Sequence, residues 1–161
     1  MRVLVVSDTH GINDNLMKVL EKEKKISWML HLGDLEGSEH MIENTAPCPV
    51  TMVAGNNDYF TTAPMEAVVQ FGKYKIFMTH GHKYGVNYGM MRLRMAAREK
   101  GCKIAMYGHT HHPCIDRDGD ITIVNPGSLT YPRQANRKPS YIVMDVDKDG
   151  DITFSLKYLK K

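Results

Sequence analysis

The stretch Met1-Arg-Val-Leu-Val-Val-Ser-Asp-Thr-His-Gly11 decides the fold. Arg2 to Val6 is an almost unbroken apolar, β-branched run, and it stops at Ser7-Asp8-Thr9-His10-Gly11. A short run of this kind reads as a strand buried on both faces, as in the middle of a parallel sheet. Ligands of open α/β sheets bind beyond the carboxyl ends of the strands, so Asp8 and His10 stand where chemistry is expected. A carboxylate and an imidazole in one turn suit a divalent transition metal. An Asp ahead of a helix is also an ordinary cap residue, so the rest of the chain has to decide.

The same pattern recurs along the chain. Trp28 to Leu32 ends at Gly33-Asp34, and Pro49 to Ala54 closes at Gly55-Asn56-Asn57-Asp58. Tyr74 to Met78, paired in a hairpin with Ala67 to Phe71 across Gly72-Lys73, ends at His80-Gly81-His82. Lys103 to Tyr107 ends at Gly108-His109-Thr110-His111. Helical stretches lie between: Ile12 to Lys25, with Leu16, Met17, Val19 and Leu20 facing in; Ser38 to Asn44; and Asn87 to Lys100, ended by Gly101. Asp8, Asp34, Asn56, His80 and His109 follow one another at intervals of 26, 22, 24 and 29 residues. A βαβ unit takes about 30 residues and sets successive strands parallel, so five strand ends deliver their polar residues to one crevice.

After His111 the texture changes. Ile121 to Val124, Tyr141 to Val146 and Ile152 to Leu159 are strands without intervening helices. Ile152, Phe154, Leu156 and Tyr158 alternate with polar residues, the period of a half-exposed antiparallel strand. These strands predict a second, mainly antiparallel sheet packed on the first, with helices outside. The two Asp-Gly-Asp-Ile-Thr segments, 118–122 and 149–153, read as hairpin turns and not as a repeat.

The 161 residues predict a single domain, 1–161, with room for a sizeable core. The net charge of +3 suits an anionic substrate, yet no Lys/Arg cluster marks a dedicated nucleic-acid binder. No apolar run approaches a membrane span, and Asp8 comes too early for a signal peptide. Cys48, Cys102 and Cys114 are odd in number and lack CxxC spacing, which predicts reduced thiols and a cytoplasmic location.

Taken together, Asp8, His10, Asp34, Asn56, His80, His109 and His111 read as two metal sites sharing a ligand. Carboxylates and imidazoles suit Mn, Fe, Zn or Co, and a bridging carboxylate holds two cations about 3.5–4 Å apart. Singly, each residue is better explained as a cap, a turn residue or a satisfied core histidine. Seven of them at strand ends favour the metal reading. Other features are set aside. Asp145 to Gly150 begins like a calcium loop, but its twelfth position is Leu156. His31 reads as a hydrogen-bonded residue inside a strand, His112 as a flanking residue and His40 as surface. Met91 and Met95 read as the core face of their helix, with Arg92 and Arg94 solvated.

Motif by motif and in order, the chain resembles the calcineurin-like metallophosphoesterase family, in its small single-domain prokaryotic phosphodiesterase branch. The matching segments are Ser7 to Gly11, Gly33-Asp34, Gly55 to Asp58, His80 to His82 and Gly108 to His111. Asn125-Pro-Gly-Ser128, with Pro132-Arg133 behind it, resembles a further signature of that branch. The resemblance implies a four-layer αββα sandwich, two mixed β-sheets flanked by helices. It also implies a phosphodiesterase in which a metal-bridging hydroxide attacks small phosphodiesters. Asp8, His10 and His111 would hold one divalent ion, Asn56, His80 and His109 the other, with Asp34 bridging. Mn is the expected metal, with Ni, Co, Zn or Fe as substitutes.

The chain departs from the family at Asn57, where a His usually donates a proton or contacts phosphate. His82, two residues after His80, is the candidate to stand in, since on an extended segment both side chains point to one side. The competing reading makes His82 a residue that orients a ligand or phosphate. Arg133 is a candidate phosphate contact, though an ordinary surface Arg is an equal reading. Two rival functions remain open: a binding scaffold without turnover, as in the retromer subunit of this superfamily, and a nuclease, which the missing basic stripe disfavours. A homodimer or higher homo-oligomer stays open as well.

Overall fold

The computed structural model describes residues 1–160. Its elements are β1 (Arg2–Val6), α1 (Asp14–Lys22), β2 (Trp28–His31), α2 (Glu39–Thr45), β3 (Val50–Met52), β4 (Glu66–Phe71), β5 (Tyr74–Thr79), a single 3₁₀ turn (His82–Tyr84), α3 (Met91–Glu99), β6 (Ile104–Met106), β7 (Cys114–Asp116), β8 (Thr122–Asn125), β9 (Ser140–Val146) and β10 (Ile152–Tyr158).

Two five-stranded sheets form, in the orders β10-β9-β1-β2-β3 and β4-β5-β6-β8-β7. Within the first, β1, β2 and β3 run parallel, while β9 is antiparallel to β1. Within the second, β5, β6 and β8 run parallel, and β4 and β7 are antiparallel edge strands. Both sheets are therefore mixed.

The alternation of side chains across a strand explains the layers. Val3 and Val5 of β1 face the second sheet and pack with Ile76, Met78, Ile104 and Met106. Leu4 and Val6 face the other way, against Leu16 and Val19 of α1 and Ile42 of α2. On the far side, Phe77, Ala105 and Ile123 meet Leu93, Ala96 and Ala97 of α3. Helix, sheet, sheet and helix give the four-layer αββα sandwich. Since β1 is covered on both faces, its sequence from Val3 to Val6 is apolar throughout.

Several expectations need correction. The strand ends do converge, but from two facing sheets: β1, β2 and β3 from one, β5 and β6 from the other. The late strands β9 and β10 extend the first sheet instead of building the second. Their period reveals which faces are apolar, whereas the partner depends on the distant pairing of Val143 with Leu4. Helix α1 starts at Asp14, because His10 and Gly11 still hold positive φ of 49° and 69°. Helix α3 starts at Met91, after Gly89 at φ 148°. Met91 and Met95 are exposed, and the core positions are Leu93, Ala96 and Ala97, which satisfy the same helical spacing. Arg94 is not solvated: its guanidinium donates to Ile121 O and Asp116 Oδ2. β7, only three residues long, has no sequence signal of its own.

Candidate metal centre

The loops after β1, β2, β3, β5 and β6 bring the seven predicted donors into one cluster. Six of the eight non-glycine residues at positive φ belong to these loops: Asp8, His10, Asp34, Glu36, His109 and His111. Each such residue costs on the order of 1–3 kcal/mol, and backbone strain of this kind clusters at functional sites. Close packing of the loops forces glycine at two positions. A Cβ at Gly55 would overlap the Asp34 carboxylate, and one at Gly108 would overlap the Ser7 hydroxyl and crowd Asp8.

Hydrogen bonds fix which ring nitrogens face the centre. His10 Nδ1 lies 2.7 Å from Glu36 Oε1, and His111 Nδ1 lies 2.6 Å from the Tyr131 carbonyl. A carboxylate and a carbonyl only accept, so each Nδ1 carries the proton and each Nε2 presents a lone pair. Those two Nε2 atoms stand 3.1 Å apart. Two lone pairs at that distance repel unless a proton or a cation lies between them. His80 repeats the arrangement, donating Nδ1–H to Leu32 O at 2.7 Å and aiming Nε2 at Asp34 Oδ2 (3.4 Å) and Asp8 Oδ1 (3.8 Å). Asp8 Oδ1 and His80 Nε2 are buried with no hydrogen-bond partner among the described residues.

The electrostatics agree. Burial works to lower the His80 imidazole, but the Asp34 and Asp8 carboxylates beside it raise it above its ordinary value. Burial would raise Asp34, yet His80 and the Asn57 donors hold it well below the carboxylate range. Asp8 is likewise lowered against burial, by His111 and His80. The centre thus draws positive charge, and a set of oxygens and imidazoles suits a divalent transition ion. Donor atoms of Asp8, His10 and His111 lie within 4.8 Å of one another, as do those of Asp8, Asp34 and His80. Asp34 Oδ2 sits between the groups, 3.7 Å from His10 Nε2 and 3.4 Å from His80 Nε2. Asn56 Oδ1 and His109 Nδ1 form a further pair at 2.9 Å, and the His109 ring packs edge-on to His80 at 5.2 Å. The orphaned atoms and opposed lone pairs fit cations.

The other three expected residues fare differently. Asn57 joins the cluster, but as a support for Asp34: its backbone N–H donates to Oδ1 at 3.0 Å and its Nδ2 to Oδ2 at 2.8 Å. His82 is not on an extended segment, because Gly81 at φ 104° turns the chain into the 3₁₀ helix. Its ring still lies 5.6 Å from His80 and 6.2 Å from His109. Burial, with His80 and His109 adding to it, pushes the His82 imidazole below its ordinary value. Arg133 is exposed, and its backbone N–H donates to His111 O at 3.2 Å. Among the described residues its guanidinium bonds none of the donors.

Three supporting residues carried no sequence signal as such. Glu36 holds His10, and its own N–H donates to Asp58 Oδ1 at 2.7 Å. Asp58, the last residue of the Gly55-to-Asp58 segment, also accepts Gly55 N–H at 2.7 Å, tying the loops after β2 and β3 together. Asn87 reaches His109 Nε2 at 3.0 Å. The Asn125-to-Ser128 segment acts through its side chains: Ser128 Oγ donates to Asp8 O at 2.8 Å and Asn125 Nδ2 to Gly108 O at 2.9 Å. His31, buried, contacts Thr9 Oγ1 at 3.1 Å and accepts Gly33 N–H, so both of its ring nitrogens are engaged.

Residues 1–149 match the model of the calcineurin-like phosphoesterase superfamily domain. The chain belongs to that superfamily. It is 31% identical over 151 residues to the probable metallophosphoesterase YsnB of Bacillus subtilis, covering 93% of this chain and 87% of that one. It is 30% identical over 172 residues to the phosphodiesterase YfcE of Escherichia coli K12, covering 91% and 89%. The solved structure of Vps29 from Entamoeba histolytica complexed with Zn superposes with a TM-score of 0.76 at 24% identity, covering 98% and 99%, a likeness of fold alone. The strand-end donors therefore lie in a metallophosphoesterase domain. Among the described residues, no helix is long and apolar enough to cross a membrane.

Proposed function

We propose that this chain is a dinuclear metal-dependent phosphodiesterase acting on small phosphodiesters. Asp8, His10 and His111 would hold one divalent ion, Asn56, His80 and His109 the other, with Asp34 serving both. The observation that carries the reading is the inward aim of imidazole Nε2 atoms and carboxylate oxygens, above all the His10 and His111 Nε2 atoms at 3.1 Å. Bound divalent ions supply Lewis-acid charge to a phosphoryl group and lower the pKa of water at the same site.

The protein's own contribution is to pre-arrange the donors. Glu36, the Tyr131 carbonyl and the Leu32 carbonyl each fix one ring's tautomer and direction, so the His10, His111 and His80 rings need little reorganisation on loading. Asn57 stabilises the ionised Asp34 with two hydrogen bonds and has no titratable proton to give a leaving group. His82 is the imidazole beside the donors left to serve as acid or phosphate contact. The exposed Asn56 opens this edge of the cluster to solvent and so to substrate. Mn is the first choice of metal, with Ni, Co, Zn or Fe as substitutes. The name of YfcE and the donor chemistry support a diesterase; the complete donor set favours turnover over a scaffold role.

The test is metal analysis of chelated, Mn-reloaded protein together with hydrolysis of a chromogenic aryl diester. Two ions per chain and restored turnover are expected. Asp34→Asn should cripple both sites and Asp8→Asn mainly one. Loading that never exceeds one ion per chain under saturating Mn would overturn the dinuclear reading. Full loading without turnover of any phosphoester would return the chain to a scaffold role.

A further inference from the structure

The turn that follows Asn56-Asn57 carries two consecutive exposed aromatic residues: Tyr59 is 80% exposed and Phe60 wholly so. Large aromatic side chains standing free beside a site are informative, because folding gains nothing from leaving them in water. They border a cavity of about 430 Å³ whose walls include Glu36, Glu39, Asn57, Asp58, Tyr59 and Phe60. That volume lies within the range of small-molecule sites. Two of its walls belong to the metal centre as well: Glu36 holds His10, and Asn57 holds Asp34. The cavity therefore adjoins the centre through the residues that hold two of its donors.

Phe60 also borders a second cavity, of about 450 Å³, on its other side. None of the seven donors, nor Glu36 or Asn57, lines that one. A third, of about 370 Å³ around Tyr88 and Met91, likewise shares no donor residue. None of the seven donors lines the first cavity either, but of the three it alone is walled by residues that hold donors, Glu36 and Asn57.

The chemistry of its walls selects the occupant. Three carboxylates and no Lys or Arg line the cavity, so a second phosphate would be repelled. Two of the carboxylates are already engaged, Glu36 by His10 and Asp58 by the Glu36 and Gly55 N–H groups. Those same bonds tie the loop after β3 to the loop after β2, which keeps the turn bearing the aromatics beside the centre. A neutral planar ring that stacks on Phe60 or Tyr59 and offers N–H donors to Glu39 meets every feature of the walls.

We propose that this cavity is a subsite for a nucleobase carried by the phosphodiester substrate, with Phe60 and Tyr59 as the stacking platform. The substrate class is then nucleotide-sized diesters. This rests on the phosphodiesterase reading above, and the test separates the two. Three probes are titrated into protein loaded with Zn, which is diamagnetic and leaves the neighbouring amide resonances sharp: methyl phosphate, which reports the metal centre; adenosine, which reports the subsite; and adenosine 5′-monophosphate, which reports both.

Stacking of a base on an aromatic side chain is worth about 1–3 kcal/mol, so adenosine 5′-monophosphate should bind about 10-fold tighter than methyl phosphate. Adenosine alone should shift the amide resonances of Asn57 to Thr61. Phe60→Ala and Tyr59→Ala, both surface changes that leave the core intact, should remove most of the 10-fold difference and leave methyl phosphate unchanged. Equal binding of the two phosphates, or a preference that survives both substitutions, overturns the subsite. Methyl phosphate that fails to bind, while adenosine still shifts these amides and Phe60→Ala abolishes the shift, would sink the phosphodiesterase reading and leave the subsite standing.

Discussion

Asn87 Nδ2 lies 3.0 Å from His109 Nε2, while His109 Nδ1 lies 2.9 Å from Asn56 Oδ1. An amide N–H₂ only donates, so in this arrangement His109 accepts at Nε2 and carries its proton on Nδ1. For Nδ1 to offer a lone pair beside Asn56, the proton must move to Nε2 and Asn87 must present its oxygen, a half-turn of the amide. Asn87 is thus a side-chain support for His109, whereas His80 and His111 are supported by backbone carbonyls.

Asn87→Ala should weaken binding of one divalent ion about 10–100-fold, the usual cost of losing a residue that orients a ligand. Asn87→Asp keeps the acceptor and should retain most of the affinity. Calorimetric titration with Mn is the measurement. Since Asn87 is exposed, the melting temperature of the metal-free protein should hardly move. An Asn87→Ala protein that binds both ions like the wild type would refute the assignment.

The residue at position 57 governs leaving groups. A departing alkoxide benefits from a general acid, typically by 10²–10⁴-fold, whereas an aryl oxide leaves almost unaided. With Asn57 committed to Asp34, the wild type should strongly prefer aryl over alkyl diesters. Asn57→His should narrow that gap at least 10-fold by speeding the alkyl substrate. His82→Ala should lower turnover with metal content intact. If the wild type cleaves alkyl and aryl esters equally fast, with chemistry rate-limiting, the argument fails; metal loss from His82→Ala would make His82 a support of the centre.

What the sequence disclosed follows from what is local in it. The strands that carry the donors are apolar runs ending in Gly, Asp, Asn or His, and both the run and its ending lie within a dozen residues. The supports are non-local. Glu36 meets His10 across 26 residues and Asp58 meets Glu36 across 22, with no pattern at either end to announce the contact. The fate of β9 was hidden similarly: Ile142 and Val143 are apolar on both faces, which declares burial but leaves the neighbour open. His82 reaches the cluster through a left-handed Gly81 in place of an extended segment, a turn that the alternation of side chains along a strand does not foretell. The helical period of α3 does not by itself select its inner face, since Met91 and Met95 share the spacing that Leu93 and Ala97 use to reach the core.

Away from the metal centre, acid stability should depend on Glu23. Its buried carboxylate accepts the Tyr141 hydroxyl and Lys157 Nζ, each at 2.8 Å, and pairs with Arg2 at 3.2 Å. Burial alone would raise the carboxyl, but the Lys157 and Tyr141 hydrogen bonds, with Arg2 behind them, hold it below its ordinary value. A folded-state pKa below the unfolded one adds stability above the unfolded pKa of about 4.3, and this is lost as pH falls through the folded value. Glu23→Gln keeps the shape but removes the charge, and should cost about 1–3 kcal/mol at pH 7. For a chain of this size each kcal/mol lowers the melting temperature by about 2–4 °C. The difference between wild type and Glu23→Gln should shrink as pH drops below 4, because the wild-type carboxylate then protonates as well. Thermal melts of both proteins from pH 7 to pH 3 measure it, and a difference that stays constant across that range would show that the Glu23 charge contributes nothing.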